Sequence, residues 1–180
     1  MKLFIGALFV VLAVAAQAEE KMIKFPSPVA FNNFIQPIAL AEGTNSFVGE
    51  NVVLSGWGLF GSTQEASAFL RFVNLQVITN LACSLRFPLI IQDSTLCANG
   101  VGNAGGCSGD SGKFKNNQNV SKCFLQCSIC FKGGPLTAQS NGQFLLVGVA
   151  SFVYEEGCEK GFPTGFSRVS SFIPWIQSHM

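Results

Sequence analysis

Short apolar stretches separated by Gly, Asn and Ser clusters constrain the fold of this chain more than any other feature. Ser46–Leu54 ends in an apolar run, Phe69–Ile78 alternates between apolar and other side chains, and Phe144–Val149 is a short apolar run. Strands show such alternation or such short runs, whereas surface helices repeat every three to four residues. Asn141-Gly142 predicts a hairpin turn, because both positions tolerate positive φ. We therefore expect an all-β fold.

The composition agrees with short strands and tight turns. The chain of 180 residues holds 18 Phe and 19 Gly but only 12% charged residues, and aromatic side chains are enriched in strands. Its net charge of +1 excludes a basic nucleic-acid-binding protein and an acidic disordered tail. The length leaves room for one barrel or sandwich domain. Only the tail, Ser170–Ser178, predicts a helix, with Ser170 or Ser171 as its N-cap.

Residues 1–18 have the composition of a secretory signal peptide. Lys2 precedes the apolar stretch Leu3–Ala16, which leads into Ala16-Gln17-Ala18. Translocation and cleavage need this positive end, apolar middle and pair of small residues. A membrane anchor is the alternative, although the stretch is shorter than the roughly 20 residues that cross a bilayer. We expect a mature chain, 19–180, that is secreted into an oxidising compartment and has no membrane span.

The segment 113–133 differs in composition from the rest of the chain. It has four lysines and no acidic residue, and it holds Cys123, Cys127 and Cys130. Their spacing is within reach of one metal ion, but a fourth ligand is not evident, so we expect no metal site. The four cysteines outside the segment are an even number and predict two disulfides. These four are Cys83, Cys97, Cys107 and Cys158.

Cys107–Gly112, which reads Cys-Ser-Gly-Asp-Ser-Gly, is the strongest chemical motif. A serine between glycines lies where the backbone turns sharply and where amides approach a substrate carbonyl closely. These are the requirements of a nucleophile beside an oxyanion hole. A Gly-Ser-Asp loop that only forms a turn is the alternative for this hexapeptide alone.

The hexapeptide resembles the nucleophile motif of the chymotrypsin-like serine proteases. The family's continuation, Gly-Pro-Leu, appears at Gly134–Leu136, after the segment 113–133. Four further stretches resemble, in order, the region after the family's catalytic aspartate, the opening of its second barrel, a loop disulfide, and its last strand and helix. They are Pro26–Ile38, Val53–Gly58, Cys83–Cys97 and Phe166–Ile176. The chain is identified as a member of this family, most similar to insect digestive or salivary proteases.

The resemblance implies a role for each residue of the motif. Ser111 matches the nucleophile, and the amides of Gly109 and Ser111 match the oxyanion hole. Asp110 matches the buried carboxylate that pairs with the new amino terminus after zymogen cleavage. The resemblance also implies two disulfide pairings. They are Cys83 with Cys97 and Cys107 with Cys158.

The partners of the nucleophile do not appear in the sequence. A serine hydroxyl needs a base within hydrogen-bond reach and a third group that orients the base. The one histidine, His179, lies second from the end, and the family's histidine loop is absent. Where the resemblance calls for the orienting aspartate, the chain has Glu19, Glu20 and Lys21. We expect neither His179 nor Glu20 to act as a substitute, so the chain is predicted to be catalytically inactive.

Two departures from the family pattern follow. The chain passes from the signal peptide into the middle of the protease domain, which predicts a chymotrypsin-like double β-barrel that lacks most of its first barrel. The remaining barrel is then expected to expose apolar surface and to be poorly soluble. The 21 residues 113–133 correspond to 63 in-frame nucleotides. Because their ends can encode splice-donor and splice-acceptor sequences, we interpret the segment as a retained intron.

The resemblance also places a specificity pocket. Its base matches Gly105, where the lack of a carboxylate disfavours Lys or Arg side chains. Its walls match Val153 and Thr164, which are bulkier than glycine and imply a shallow, elastase-like pocket. The alternative is that Val153 and Thr164 only pack.

Two hypotheses for function remain from the sequence. The first is a secreted serine endopeptidase, damaged in this version of the chain, which acts on peptide or protein substrates without a cofactor or metal. The second is a secreted, non-catalytic homologue that acts by binding a partner of unknown identity. Neither hypothesis involves nucleic acid or a membrane.

Overall fold

The computed structural model describes residues 25–57, 67–100, 105, 133–154 and 161–180. Residues 37–178 belong to one compact unit, which contains seven strands, two short α-helices and a 3₁₀ helix within the described ranges. The strands are β1 (Ala39–Leu40), β2 (Asn51–Gly56), β3 (Arg71–Ile78), β4 (Thr95–Gly100), β5 (Pro135–Ser140), β6 (Gln143–Phe152) and β7 (Thr164–Arg168). The helices are α1 (Asn80–Ser84), the 3₁₀ helix Val169–Phe172 and α2 (Ile173–Ser178).

Six of the strands close into an antiparallel barrel. The hydrogen-bonded order is β6-β5-β2-β3-β4-β7, and β7 pairs again with β6. Strand β6 makes this closure possible because its ten residues pair with β5 through their first part and with β7 through their last part. Strand β1 adds to β6 in parallel. Closure removes the free edges that an open sheet would present, and the all-β prediction is confirmed.

The barrel interior is filled by the alternate side chains that the sequence pattern predicts. In β2 the buried side chains of Val52 and Leu54 alternate with the less buried Val53 and Ser55. Leu75 and Val77 of β3 face the same interior. The other members of this core come from the remaining four strands of the barrel and from the adjoining loops. They are Ala41, Phe47, Leu96, Ala98, Leu136, Ala138, Val147, Ala150, Val153 and Phe166.

The predicted hairpin at Asn141-Gly142 is confirmed. The two residues connect β5 to β6, with φ of +50° and +79°, and Ser140 pairs with Gln143 in the last rung. These positive φ values are those that a two-residue hairpin turn requires, and Asn and Gly adopt them more readily than other residues.

Three sequence expectations differ from the structure in detail. The stretch that was predicted to be extended from Ser46 begins as a turn, and its strand starts only at Asn51. The short helix α1 was not predicted, although Thr79 caps it by accepting a hydrogen bond from the amide of Ala82 at 3.1 Å. The predicted serine caps of the last helix are wrong, because the 3₁₀ helix begins before them and has no side-chain cap.

Residues 25–36 belong to a second unit and have no regular secondary structure. The Asn32 side chain organises them locally, since its Oδ1 accepts hydrogen bonds from the amides of Phe34 at 2.8 Å and Ile35 at 3.0 Å. The backbone amide of Asn32 in turn donates to the Ile35 carbonyl oxygen at 3.0 Å. Such a turn is a common use of asparagine, whose short side chain can bond backbone groups two or three residues away.

Candidate active site

Two of the three predicted pocket residues lie at the end of the barrel where β6 and β7 separate. Phe152 pairs with Gly165, after an irregularity in the ladder next to Ala150. Because these strands are antiparallel, the next residues outward, Val153 and Thr164, come opposite each other. Both are buried, with 5% and 2% of their surface exposed. The two predicted walls therefore fill this end of the barrel.

A glycine on β7 leaves room for an aromatic ring of β6 at this point. A Cβ atom at Gly165 would clash with the Phe152 ring, so no side chain fits there unless the ring moves. The ring therefore lies directly over the backbone of β7 at the residue next to Thr164. This close approach is the reason that β7 needs glycine at this position.

Aromatic side chains hold the segments that flank the two walls. The Phe87 ring meets Phe152 edge to face at 5.1 Å and lies 6.1 Å from Tyr154. Tyr154 stacks on Phe162 at 3.7 Å, and the Arg86 guanidinium lies 5.5 Å from the Phe162 centroid. Edge-to-face and offset contacts of this kind stabilise aromatic pairs beyond the area they bury. The contacts connect the end of β6, the start of β7 and the loop after α1.

The Cys83–Cys97 disulfide supports the same region from inside. It joins α1 to β4 across a Cα separation of 6.2 Å, and both cysteines are fully buried. Phe87 packs with them in a small core of their own. This is one of the two pairings that the resemblance implies.

Arg168 is an anchoring residue that the sequence analysis missed. Its Nε, Nη1 and Nη2 donate to the carbonyl oxygens of Asp93, Ser46 and Thr95 at 3.1, 3.2 and 3.0 Å. Its own amide donates to the Ser94 carbonyl at 2.7 Å. Burial lowers the pKa of the guanidinium, and the Asp93 carboxylate raises it by less. The cation remains charged and ties three distant chain segments together beside a polar cavity of about 350 Å³. Arg168 is the last residue of β7, and nothing in its local sequence indicated these contacts.

Most of the predicted catalytic motif lies outside the described residues. Gly105 is described and half-buried, and His179 is exposed. In the described part of the chain, no three His, Cys, Asp or Glu side chains come close enough to hold a metal ion. No helix there is long and apolar enough to span a membrane. The predicted residues that fall outside are Glu20, Cys107, Gly109, Asp110, Ser111, Cys123, Cys127, Cys130 and Cys158.

Known structures share this barrel and its C-terminal helix. The crystal structure titled HL collagenase superposes on 84% of this chain and 56% of its own chain, with a TM-score of 0.65 and 34% identity. In sequence, a collagenase of Hypoderma lineatum is 34% identical over 88% of this chain and 52% of its own length. A chymotrypsin-like elastase family member 1 of Canis lupus familiaris is 29% identical over 92% of this chain and 57% of its own length. The fold is therefore that of a chymotrypsin-like serine protease.

The sequence profile described as Trypsin matches residues 16–113, which is more than half of the chain, and the protein belongs to the trypsin family. The chain spans about half the length of the curated relatives it matches. The collagenase of Hypoderma lineatum is an insect protein, in agreement with the predicted insect type.

Proposed function

We propose that this chain represents a secreted serine endopeptidase that prefers small apolar side chains, in a form that does not hydrolyse peptides as its sequence stands. The observation that carries the substrate preference is the filled end of the barrel. Val153 and Thr164 are both buried where β6 and β7 separate. We propose that side chains bulkier than glycine at these two positions make the pocket shallow, so that it accepts Ala or Val of a substrate and excludes an aromatic ring.

The base of the proposed pocket also favours small apolar side chains. Gly105 offers no carboxylate, and a Lys or Arg side chain bound there would be buried without a partner for its charge. The Phe152 ring lies against Gly165, directly beside the two proposed walls. The proposed pocket is therefore shallow because of bulky walls and selective because it lacks a charge. The similarity to an elastase family member supports this preference.

Inactivity follows from the chemistry of the nucleophile. The hydroxyl of Ser111 is a weak nucleophile at neutral pH, and a neighbouring base must take its proton. The sequence has one histidine, His179, which matches no catalytic position in the resemblance. We propose that a chain of this sequence binds substrate at most, because no residue is placed to activate the serine.

The segment 113–133 is a second proposed cause of inactivity. The match to the family profile ends at residue 113, where this segment begins, and strand β5 starts at Pro135, two residues after the segment ends. Ser111 thus lies two residues before the segment. We propose that the segment is a retained intron and that the family's chain continues from Gly112 directly to Gly134.

A non-catalytic homologue that acts by binding is the second candidate function. The single histidine of the sequence favours it, because a protein that only binds does not need a base. This candidate predicts abundant secreted protein of this length, detectable by peptides that span Ala18–Lys24 and the segment 113–133.

Transcript sequencing separates the two candidates. The protease candidate predicts transcripts that lack the 63 nucleotides of codons 113–133 and a histidine-bearing exon between codons 18 and 23. Transcripts that all retain the 63 nucleotides would refute the intron proposal. Secreted protein of the present length, with no other product, would favour the binding candidate.

The pocket proposal is tested by measuring the kinetics of the protein that includes the proposed histidine-bearing exon and lacks residues 113–133. We expect cleavage after Ala or Val, and we expect Val153→Gly with Thr164→Gly to shift the kcat/KM ratio of Phe over Ala substrates by about 10- to 100-fold towards Phe. Val149→Gly, the same change elsewhere on β6, should leave the ratio unchanged. Preference for Lys or Arg would contradict the pocket proposal.

The chain as written tests inactivity separately. We expect neither peptide hydrolysis nor rapid labelling by a fluorophosphonate, with the Ser111→Ala variant as the background. Hydrolysis that Ser111→Ala abolishes would overturn the proposal of inactivity, without affecting the pocket.

A further inference from the structure

The chain contains the dipeptide Asn-Gly twice, at Asn99-Gly100 and at Asn141-Gly142, and the barrel places the two in opposite environments. Asn-Gly is the sequence most open to spontaneous deamidation, because glycine has no Cβ to hinder its own backbone nitrogen. The local chemistry of the two sites is the same. Any difference in their reactivity must come from the fold.

Asn141-Gly142 lies at the exposed tip of the β5–β6 hairpin. Both residues and their neighbours Ser140 and Gln143 are exposed. No atom lies within 4 Å of where a Cβ of Gly142 would be, so a ring can form there without a clash. Within the described residues, no hydrogen bond engages the Asn141 side chain. The turn is a loop tip of the kind where backbone opening costs least.

Asn99-Gly100 lies in the wall of the barrel. Asn99 pairs with Gln76, and Gly100 pairs with Leu75, in the ladder between β3 and β4. The Asn99 Oδ1 atom is buried and has no hydrogen-bond partner among the described residues. Because both residues are paired in this ladder, the strands must separate before the backbone nitrogen of Gly100 can reach the Asn99 side chain.

We propose that Asn141 is a site of spontaneous deamidation in the folded protein and that the barrel protects Asn99. The backbone nitrogen of Gly142 loses its proton and attacks Cγ of Asn141. The new N–Cγ bond forms, the Cγ–Nδ2 bond breaks, and ammonia leaves with the proton. Water then opens the succinimide at either carbonyl and yields aspartate or isoaspartate at position 141. The turn gains a negative charge, and in the isoaspartate product its backbone is longer by one carbon.

Peptide mapping of the full chain tests the proposal. The protein is incubated folded in mildly alkaline buffer, digested, and scored by mass for replacement of the amide by a carboxyl and by isoaspartyl methyltransferase labelling. We expect position 141 to convert at least about tenfold faster than position 99, which corresponds to a barrier difference set by the fold. In urea with the disulfide reduced, the two rates should converge, because the unfolded dipeptides are alike.

Two variants sharpen the test. Asn141→Asp should remove all replacement of an amide by a carboxyl at the hairpin, leaving only the slower formation of isoaspartate from aspartate, and should leave the slow rate at position 99 unchanged. Gly142→Ala should slow conversion at position 141, because its methyl group hinders the attacking nitrogen; if this variant fails to fold, the comparison of folded and unfolded wild-type chain still decides. Equal rates at the two positions in the folded chain, or a folded rate at position 141 no faster than at position 99, would overturn the proposal.

Discussion

The two faces of the β2–β3 pair differ sharply. On the inner face, Leu54 and Leu75 are each only 1% exposed and pack within the barrel core. On the outer face, Phe72 lies opposite Ser55 in the ladder and is 73% exposed. Trp57 and Leu70, one residue beyond the last rung, are more than half exposed as well. We call Trp57, Leu70 and Phe72 the outer patch.

The apolar side chains inside the barrel are covered by one another, whereas those on this outer surface are exposed. Six strands close the ladder, and their side chains fill the core together with Ala41, Phe47 and Val153. The outer patch puts apolar side chains on a surface that no described residue covers, and clustered apolar surface of this kind favours association. We therefore expect the outer patch to promote self-association of this chain.

The largest expected effect lies inside the barrel. Phe166 is 1% exposed, and Phe166→Ala should lower the free energy of unfolding by about 3 to 5 kcal/mol through lost burial and a cavity. Urea unfolding followed by fluorescence measures the loss. Phe72→Ala is the matched control, because it removes the same ring from the outer patch and should change stability by no more than about 0.5 kcal/mol. Similar losses for both variants would break the comparison.

A smaller effect is expected at the Arg168 anchor. Arg168→Lys keeps the charge but lacks the planar fork that reaches three carbonyl oxygens. We expect it to lower the free energy of unfolding by about 1 to 3 kcal/mol, since carbonyls are left without a donor. Arg71→Lys on an exposed part of β3 serves as the control. Equal stability of Arg168→Lys and the wild type in urea would show that the anchor adds nothing to the barrel.

The smallest effect on stability, but a clear one on association, is expected at the outer patch. Trp57→Ser with Leu70→Lys and Phe72→Lys should change the free energy of unfolding by only about 0.5 kcal/mol and should convert a self-associating chain into a monomer. Analytical ultracentrifugation measures the mass. Leu85→Lys, a change at the exposed leucine that directly follows α1, should leave association unchanged. A wild-type chain that is already monomeric and unfolds cooperatively would contradict the prediction that the outer patch causes self-association.

Much of the barrel could be predicted because strands and turns are local. The alternation in Phe69–Ile78 and the Asn141-Gly142 turn each depend on neighbours in sequence, and the structure has a strand and a hairpin there. Helix α1 was missed because five residues carry too little periodicity to stand out. The turn before β2 was missed because Phe47 adopts a φ of +58°, which the apolar pattern of its segment does not indicate.

The candidate site was predictable only in part. The resemblance named Val153 and Thr164, but it left open whether they form a pocket wall or pack, and the structure shows them buried where two strands separate. The stack of Tyr154 on Phe162 and the anchor at Arg168 could not be predicted. In both cases the folded chain brings the contacting groups together, and the local sequence pattern does not indicate which groups will meet.

The sequence by itself determined the strand-forming pattern, the hairpin turn and the serine motif that identifies the family, because each of these is written in adjacent residues. Contacts between residues far apart in the sequence became known only from the folded structure. Closing the barrel brings Arg168 to a carbonyl 122 residues away and sets the Phe152 ring over Gly165. It also pairs one Asn-Gly dipeptide in a strand ladder while it leaves the other exposed. The physical reason is that these contacts depend on ladder register and packing between distant segments, which no local period encodes.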